Sequence, residues 1–289
     1  MKIIISVLLF NISFLNCVSA NNKPFSQLNK NIPIITLYDC KEKTGITDTA
    51  IYAEINGDDS KETIKLSIIR QHDKSGSWIS GYKLTIDESK IQKTLDNALE
   101  DASLMLVDID KNDKFREIVV AVNADPDGME YYIHKFDNGN IFEVGSVLNF
   151  FFDDPEPFPG NGKIYANNWM GFWKIYDTFT YSSAKNTLTK DNTTGIYEVN
   201  FPKDYKSEIN VTKPFKLHKD RDDNAEFTAN LIKGTKINIL KADITAKCKE
   251  AVENDYSPCH WYYIESESGN GWIRLKDFKD NVDGLPWAG

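Results

Sequence analysis

Histidine and cysteine are scarce in this chain. With 4 of each among 289 residues, the chemistries that depend on them are narrowly bounded. The histidines are His72, His134, His218 and His260, and no two of them stand at the HxxxH spacing that sets two ring nitrogens on one helix face for a metal. The cysteines are Cys17, Cys40, Cys248 and Cys259, and none belongs to a CxxC pair. An exported hydrolase of the nucleophilic kind needs a Ser or Cys held by a His. Only Cys259-His260 offers such neighbours, and adjacent strand residues point to opposite faces. Two carboxylates at a fixed separation would serve glycoside hydrolysis, but carboxylates are too numerous here for any pair to stand out. No catalytic residue is assigned. Excess positive charge is also lacking: the formal net charge is −9, which disfavours nucleic acid and anionic membranes as partners.

Long apolar runs are absent beyond the first twenty residues, so no transmembrane span is expected in the mature chain. Residues 1–20 read as a signal peptide: Lys2 gives the charged end, the stretch from Ile3 to Phe14 the apolar part, and Val18-Ser19-Ala20 a small-residue cleavage site. The mature protein is then extracytoplasmic, secreted or periplasmic. Lipidation at Cys17 is the alternative, although bulky Leu15 and Asn16 fit a lipoprotein box loosely. Export permits disulfides, and Cys248 and Cys259, eleven residues apart in one connection, are the expected pair. Three reduced thiols is the other reading, because spacing alone does not decide.

What the chain has in abundance is β-forming sequence. Short apolar runs alternate with Asn, Asp and Gly clusters, and aromatic residues make up 12% of the chain. Two acidic segments look alike: Glu54-Ile55-Asn56-Gly57-Asp58-Asp59 and Asp108-Ile109-Asp110-Lys111-Asn112-Asp113, a period of 54 residues. Each runs into a strand pattern, Ile64 to Ile68 and Ile118 to Val122. Oxygen ligands at alternate positions suit a hard cation such as calcium, but the twelfth position is Lys65 or Val119, which excludes an EF-hand. The plain alternative is an acidic turn satisfied by its own backbone amides. Between the two segments, Ile91, Leu95, Ala98, Leu99 and Ala102 fall at helical spacing and predict a short helix over residues 87–102. Further on, Trp169, Gly171 and Trp173 would share one face of a strand, as a flat sugar platform or as core.

The acidic loops resemble the FG-GAP/VCBS repeats of integrin-α-like β-propellers over about residues 49–142. That resemblance implies calcium held by Asp108, Asp110, Asn112, the backbone of Lys114, and Glu117. The chain departs from the repeat with Asp113 and Asp59 where Gly is usual. From Lys213 onward, Lys233-Gly234-Thr235, Trp261-Tyr262-Tyr263 and Gly271-Trp272 resemble, in that order, the bacterial SH3-like (SH3b) barrel over about residues 210–278. In that reading Ile237, Ile239 and Trp261 face a small core, and the tail Leu285-Pro286-Trp287 packs back on the body. The expected architecture is therefore mostly β: a propeller-like or irregular β domain over residues 21–205, followed by a small SH3-like barrel over residues 206–289. The resemblances imply a non-catalytic binding protein for cell-wall or extracellular protein or glycan partners. A calcium-dependent adhesin-like protein and an enzyme on a β scaffold are the alternatives.

Overall fold

The computed structural model describes residues 36–39, 48–74, 76–99, 102–124, 128–149, 156–202, 205–246 and 257–286. The segment read as a signal peptide, with Cys17, Cys40, Cys248 and Trp287, lies outside them. The described residues are mostly β, with a single four-residue α-helix, α1 (Leu275–Phe278), and two 3-10 turns, Ser257–Cys259 and Lys279–Asn281. Among them no helix is long and apolar enough to cross a membrane.

The strands in chain order are β1 (Thr36–Asp39), β2 (Asp48–Ala53), β3 (Glu62–Asp73), β4 (Gly76–Ile86), β5 (Ser89–Leu99), β6 (Ala102–Val107), β7 (Glu117–Ala124), β8 (Gly128–Asp137), β9 (Asn140–Asn149) and β10 (Lys163–Trp169). They continue with β11 (Lys174–Ser182), β12 (Thr187–Lys190), β13 (Ile196–Glu198), β14 (Ile209–Val211), β15 (Phe215–His218), β16 (Phe227–Leu231), β17 (Lys236–Asp243), β18 (Trp261–Ser266), β19 (Gly269–Arg274) and β20 (Val282–Asp283). Four sheets result. Their orders are β2-β3-β4-β5, β1-β6-β7-β8-β9, β10-β11-β12 and β16-β15-β19-β18-β17-β14-β20, with β13 added beside β17 in the last.

The chain divides into two compact units. One holds residues 1–108, 114–125 and 133–142, and the other residues 109–113, 126–132 and 143–289. In the first unit the meander β2–β5 follows alternation: Ile64, Leu66, Leu84 and Ile86 are buried while Lys65 is exposed. β7 is different, with Ile118, Val119, Val120, Ala121 and Val122 all buried. A continuous apolar run of this kind is what a central strand covered on both faces requires.

The helix expected over residues 87–102 is instead the strand β5, followed by β6. Asp87-Glu88 forms a two-residue turn that returns the chain along β4, pairing Ile86 with Ser89 and Leu84 with Ile91. Ile91 and Leu95 are four apart, which puts them on one face of a helix and equally on one face of a strand. Exposed Gln92 and Thr94 between them, with exposed Lys90 just before, settle the period as two.

In the second unit one core joins residues from both sides of the expected boundary at residue 206. Phe172, Trp173, Ile175 and Tyr197 are buried together with Ile209, Leu217, Ile237, Ile239, Tyr262, Ile264, Ile273 and Phe278, and Leu285 packs against them. Trp173 Nε1 donates to Tyr262 Oη at 3.2 Å within this core. Ile196–Glu198 pairs with Lys241–Asp243, adding an earlier strand to the sheet of the C-terminal half.

Candidate functional site

Charged and aromatic side chains gather on the outer face of the β16-β15-β19-β18-β17 sheet, and strand pairing dictates its make-up. Residues directly opposite in antiparallel strands share a face. Tyr262 opposes Ala242 and Ile273, which places these three toward the core. The alternate set faces outward: Asp243 opposite Trp261, Lys241 opposite Tyr263, Trp261 opposite Arg274, Tyr263 opposite Trp272, and Trp272 opposite His218. Trp261 therefore does not share the core of Ile237 and Ile239, as the sequence had suggested. A register shift between Ile239 and Lys241 changes the phase of β17, and Trp261 is buried on the other side of the sheet, 2% exposed.

The cover over Trp261 is charged and aromatic. The Arg274 guanidinium stands 4.4 Å from its ring centroid, and the His218 ring meets it edge-on at 5.8 Å. His218 in turn packs on Phe227 at 4.7 Å, and Phe227 is more than half exposed. Gly271 makes this crossing workable: a Cβ there would come within 2.6 Å of the His218 carbonyl oxygen and 2.5 Å of Thr228 Oγ1.

The polar segment between β15 and β16 lies against this face and is held by two ion pairs. Arg274 Nε and an Nη donate to the two oxygens of Asp223 at 2.8 and 3.0 Å, a bidentate arrangement. Arg221 Nη1 donates to Asp243 at 2.5 Å and lies 5.3 Å over the Trp272 ring. Burial alone would push the Asp243 carboxyl up. Hydrogen bonds from the Thr245 hydroxyl and amide, with the Arg221 charge, outweigh it and hold the carboxyl below its ordinary range. Asp223 is held low by the Arg274 hydrogen bond. Beside these pairs opens a cleft of about 430 Å³ lined by Ile196, Asp220, Arg221, Asp222, Lys241 and Trp272. One indole and four charged side chains around an open cleft can bind a polar ligand and orient it.

The acidic loops carry a different geometry. In the first, Asn56 Oδ1 accepts the Asp58 amide at 3.0 Å and Asp58 Oδ1 accepts the Ser60 amide at 2.9 Å. Glu62 closes the loop, accepting the Ile55 amide at 3.2 Å and Asn56 Nδ2 at 2.9 Å; burial pushes its carboxyl up. Asp59 sits at a φ of +64°. Within the first unit the Arg116 amide donates to the Ile55 carbonyl at 2.9 Å, and a Cβ on Gly57 would stand 2.6 Å from Lys114 Cβ.

The implied calcium ligands fall in both units, Asp108, Lys114 and Glu117 in the first, Asp110 and Asn112 in the second. Asp110 Oδ1 accepts the Asn112 amide at 3.1 Å and Asn112 Nδ2 at 2.8 Å, an Asx turn. Glu117 is fully buried at the start of β7, and Lys114 is exposed. Among the described residues no three His, Cys, Asp or Glu side chains gather closely enough to hold a metal ion.

Three further sequence expectations find their place. Trp169 ends β10 and Trp173 precedes β11, with the Met170 amide donating to the Trp173 carbonyl at 2.9 Å across the turn between them. They do not share a strand face, so no platform forms there, and Trp173 is wholly buried. Cys259 carries a disulfide, which removes it as a nucleophile beside His260; its partner lies outside the described residues. The cleft itself was missed by sequence reasoning, although Trp272 stood in a quoted motif. The available signal was the charge-rich run from Lys219 to Asp223 between two strands, followed by Trp and Arg alternating at residues 272 and 274.

Compared with family models, curated proteins and solved structures, the chain matches none.

Proposed function

We propose that this is a non-catalytic, extracytoplasmic binding protein that engages a polymer of the cell envelope through the outer face of its C-terminal sheet. The observation that carries the reading is the cleft beside Trp272, bordered by charged side chains, on the face that also bears the exposed Phe227 and the half-buried Tyr263, which packs on Trp272. Core residues account for the other side of the same sheet. Aromatic and arginine side chains are the groups that dominate recognition energetics at interfaces. The signal-peptide reading of residues 1–20 and the order of the Lys-Gly-Thr, Trp-Tyr and Gly-Trp motifs, similar to SH3-like wall-attachment modules, support the same class of partner.

The test is co-sedimentation of the mature chain with purified cell wall, comparing the native protein with Trp272→Ala. Retention by the native protein and its loss in the variant, with the melting temperature checked in parallel, supports the proposal. Equal behaviour of the two proteins refutes it.

A further inference from the structure

We infer that the outer face of the β2–β5 meander, in the first unit, binds an anionic glycopolymer, a chain of sugar or polyol units bearing carboxylates or phosphates. This surface shares no residue with the C-terminal face proposed above, and it stands or falls independently. Strand register assembles it. Lys65 lies opposite Thr85, and Thr85 opposite Lys90, giving one row across β3, β4 and β5. The next row is Ser67, Lys83 and Gln92. Both rows alternate with the buried Ile64, Leu66, Leu84 and Ile86, so they face away from the core. Neighbouring strands lie about 4.8 Å apart and alternate residues about 7 Å along a strand, which keeps the three lysine Cα atoms within about 10 Å of one another.

The charge of this face sets it apart. Carboxylates outnumber Lys and Arg 43 to 34 in the chain, and lysines elsewhere are paired: Lys163 with Asp191, Lys190 with Asp177, Lys236 with Glu208. Lys65, Lys83 and Lys90 have no carboxylate or hydrogen-bond partner among the described residues. Lys83 is half-buried on a central strand, so its charge is partly desolvated with no counter-ion. No residue of the two rows is acidic. Acidic positions border them instead: Asp48 stands opposite Ser67 at the edge, and Asp87-Glu88 forms the β4–β5 turn, where Asp87 accepts the Thr63 amide at 2.8 Å. Three close ammonium groups raise one another's energy, and anions spaced along a polymer relieve that. The overall charge of −9 does not forbid the contact, because charges beyond about 8 Å are largely screened at physiological salt. The neutral positions suit sugar units. Ser67, Thr85 and Gln92 offer hydroxyl and amide groups between the lysines. Tyr52, opposite Thr63 on β2, is 72% exposed and presents an apolar ring with a polar tip. A flat sheet face fits a polymer lying across it.

The experiment titrates the mature full-length chain with polygalacturonate, poly(glycerol phosphate), dextran and polyglutamate, at low ionic strength and across a salt series. At least one of the first two is expected to bind, and which one does assigns the anion as carboxylate or phosphate. Dextran should not bind, and polyglutamate should bind more weakly. Lys65→Gln, Lys83→Gln and Lys90→Gln together should weaken binding about tenfold or more and flatten its salt dependence. Arg at the same three positions should retain it. Tyr52→Ala should weaken binding and leave the salt dependence unchanged. Lys185→Gln, Lys213→Gln and Lys233→Gln, exposed in the second unit, remove the same charge and should have little effect. If the first triple change lowers the melting temperature, the exposed pair Lys65→Gln with Lys90→Gln is read in its place.

Absence of binding to both anionic glycopolymers, equal binding of polyglutamate, or an equal loss in the control triple overturns the inference. Trp272→Ala is carried through the same titrations and should bind as the native chain does. Loss of binding in Trp272→Ala with retention in the Lys-to-Gln triple would sink the meander face and leave the C-terminal reading standing. The reverse pattern supports the meander face, whatever wall co-sedimentation shows for Trp272.

Discussion

Removing Trp173 is expected to unfold much of the C-terminal half, even though the residue lies more than thirty positions before the expected domain boundary. The indole is 0% exposed and packs edge-on against Tyr262, with centroids 6.3 Å apart. Truncation of a buried Trp to Ala costs about 3–5 kcal/mol. The Tyr262 hydroxyl, itself fully buried, would also lose its donor, a further cost of about 1–3 kcal/mol unless water reaches it. Together these approach the whole stability of an ordinary domain, about 5–15 kcal/mol. Trp173→Phe keeps an aromatic ring and loses the N–H and some volume, so a cost of about 1–3 kcal/mol is expected. The assay is urea unfolding followed by circular dichroism, since the substitution removes a fluorophore. It is paired with a fragment comparison of residues 205–289 against residues 156–289. The longer fragment should melt cooperatively, and the shorter one, lacking Trp173 and the Ile196–Glu198 strand, should not. A loss below about 1 kcal/mol in Trp173→Ala would refute the reasoning, because it falls outside the range of a packed core indole. So would equal midpoints for the two fragments.

Gly57→Ala should destabilise the first unit by about 1–3 kcal/mol, because φ is +71° and the new Cβ would meet the Lys114 carbonyl oxygen at 2.9 Å; chemical denaturation reads this directly. Asp243 contributes stability that is present above the ordinary carboxylate pKa and lost as pH falls through its depressed folded value. An acid titration of stability should therefore show a component below about pH 4 that disappears in Asp243→Asn. Non-reducing peptide mapping should join Cys259 to Cys248, and reduction should lower stability by about 2–4 kcal/mol; recovery of a Cys40–Cys259 peptide would contradict the pairing. Because Asp110 already satisfies its turn through Asn112, Asp110→Ala should lower stability by about 0.5–2 kcal/mol whether or not calcium is added, as hydrogen-bonded side-chain caps do.

The β character was legible because it is a local property. The runs from Ile64 to Ile68 and from Ile118 to Val122 read as strands, and they lie in β3 and β7. The acidic loops were legible as turns for the same reason, since Asn56, Asp58 and Asp110 bond to amides two residues on. Errors arose where periodicities coincide or phase shifts. Ile91 and Leu95 fit a helix and a strand alike, and the irregularity at Ile239/Lys241 moved Trp261 away from the core assigned to it. The cleft was illegible for another reason. Arg274 meets Asp223 across 51 positions and Arg221 meets Asp243 across 22, and such partners are chosen by the crossing of β15 over β19 at Gly271. No local pattern records that crossing.

The most direct measurement of the central claim is hydrogen–deuterium exchange of the mature chain with and without purified cell-wall fragments. If the outer face binds the envelope polymer, protection appears over residues 219–224 and 270–274, around the cleft and the β19 amides that carry Trp272. The acidic loops at residues 54–60 and 108–114 should exchange at the same rate in both conditions. Protection confined to those loops, with residues 219–224 unchanged, would place the binding surface elsewhere and contradict the account.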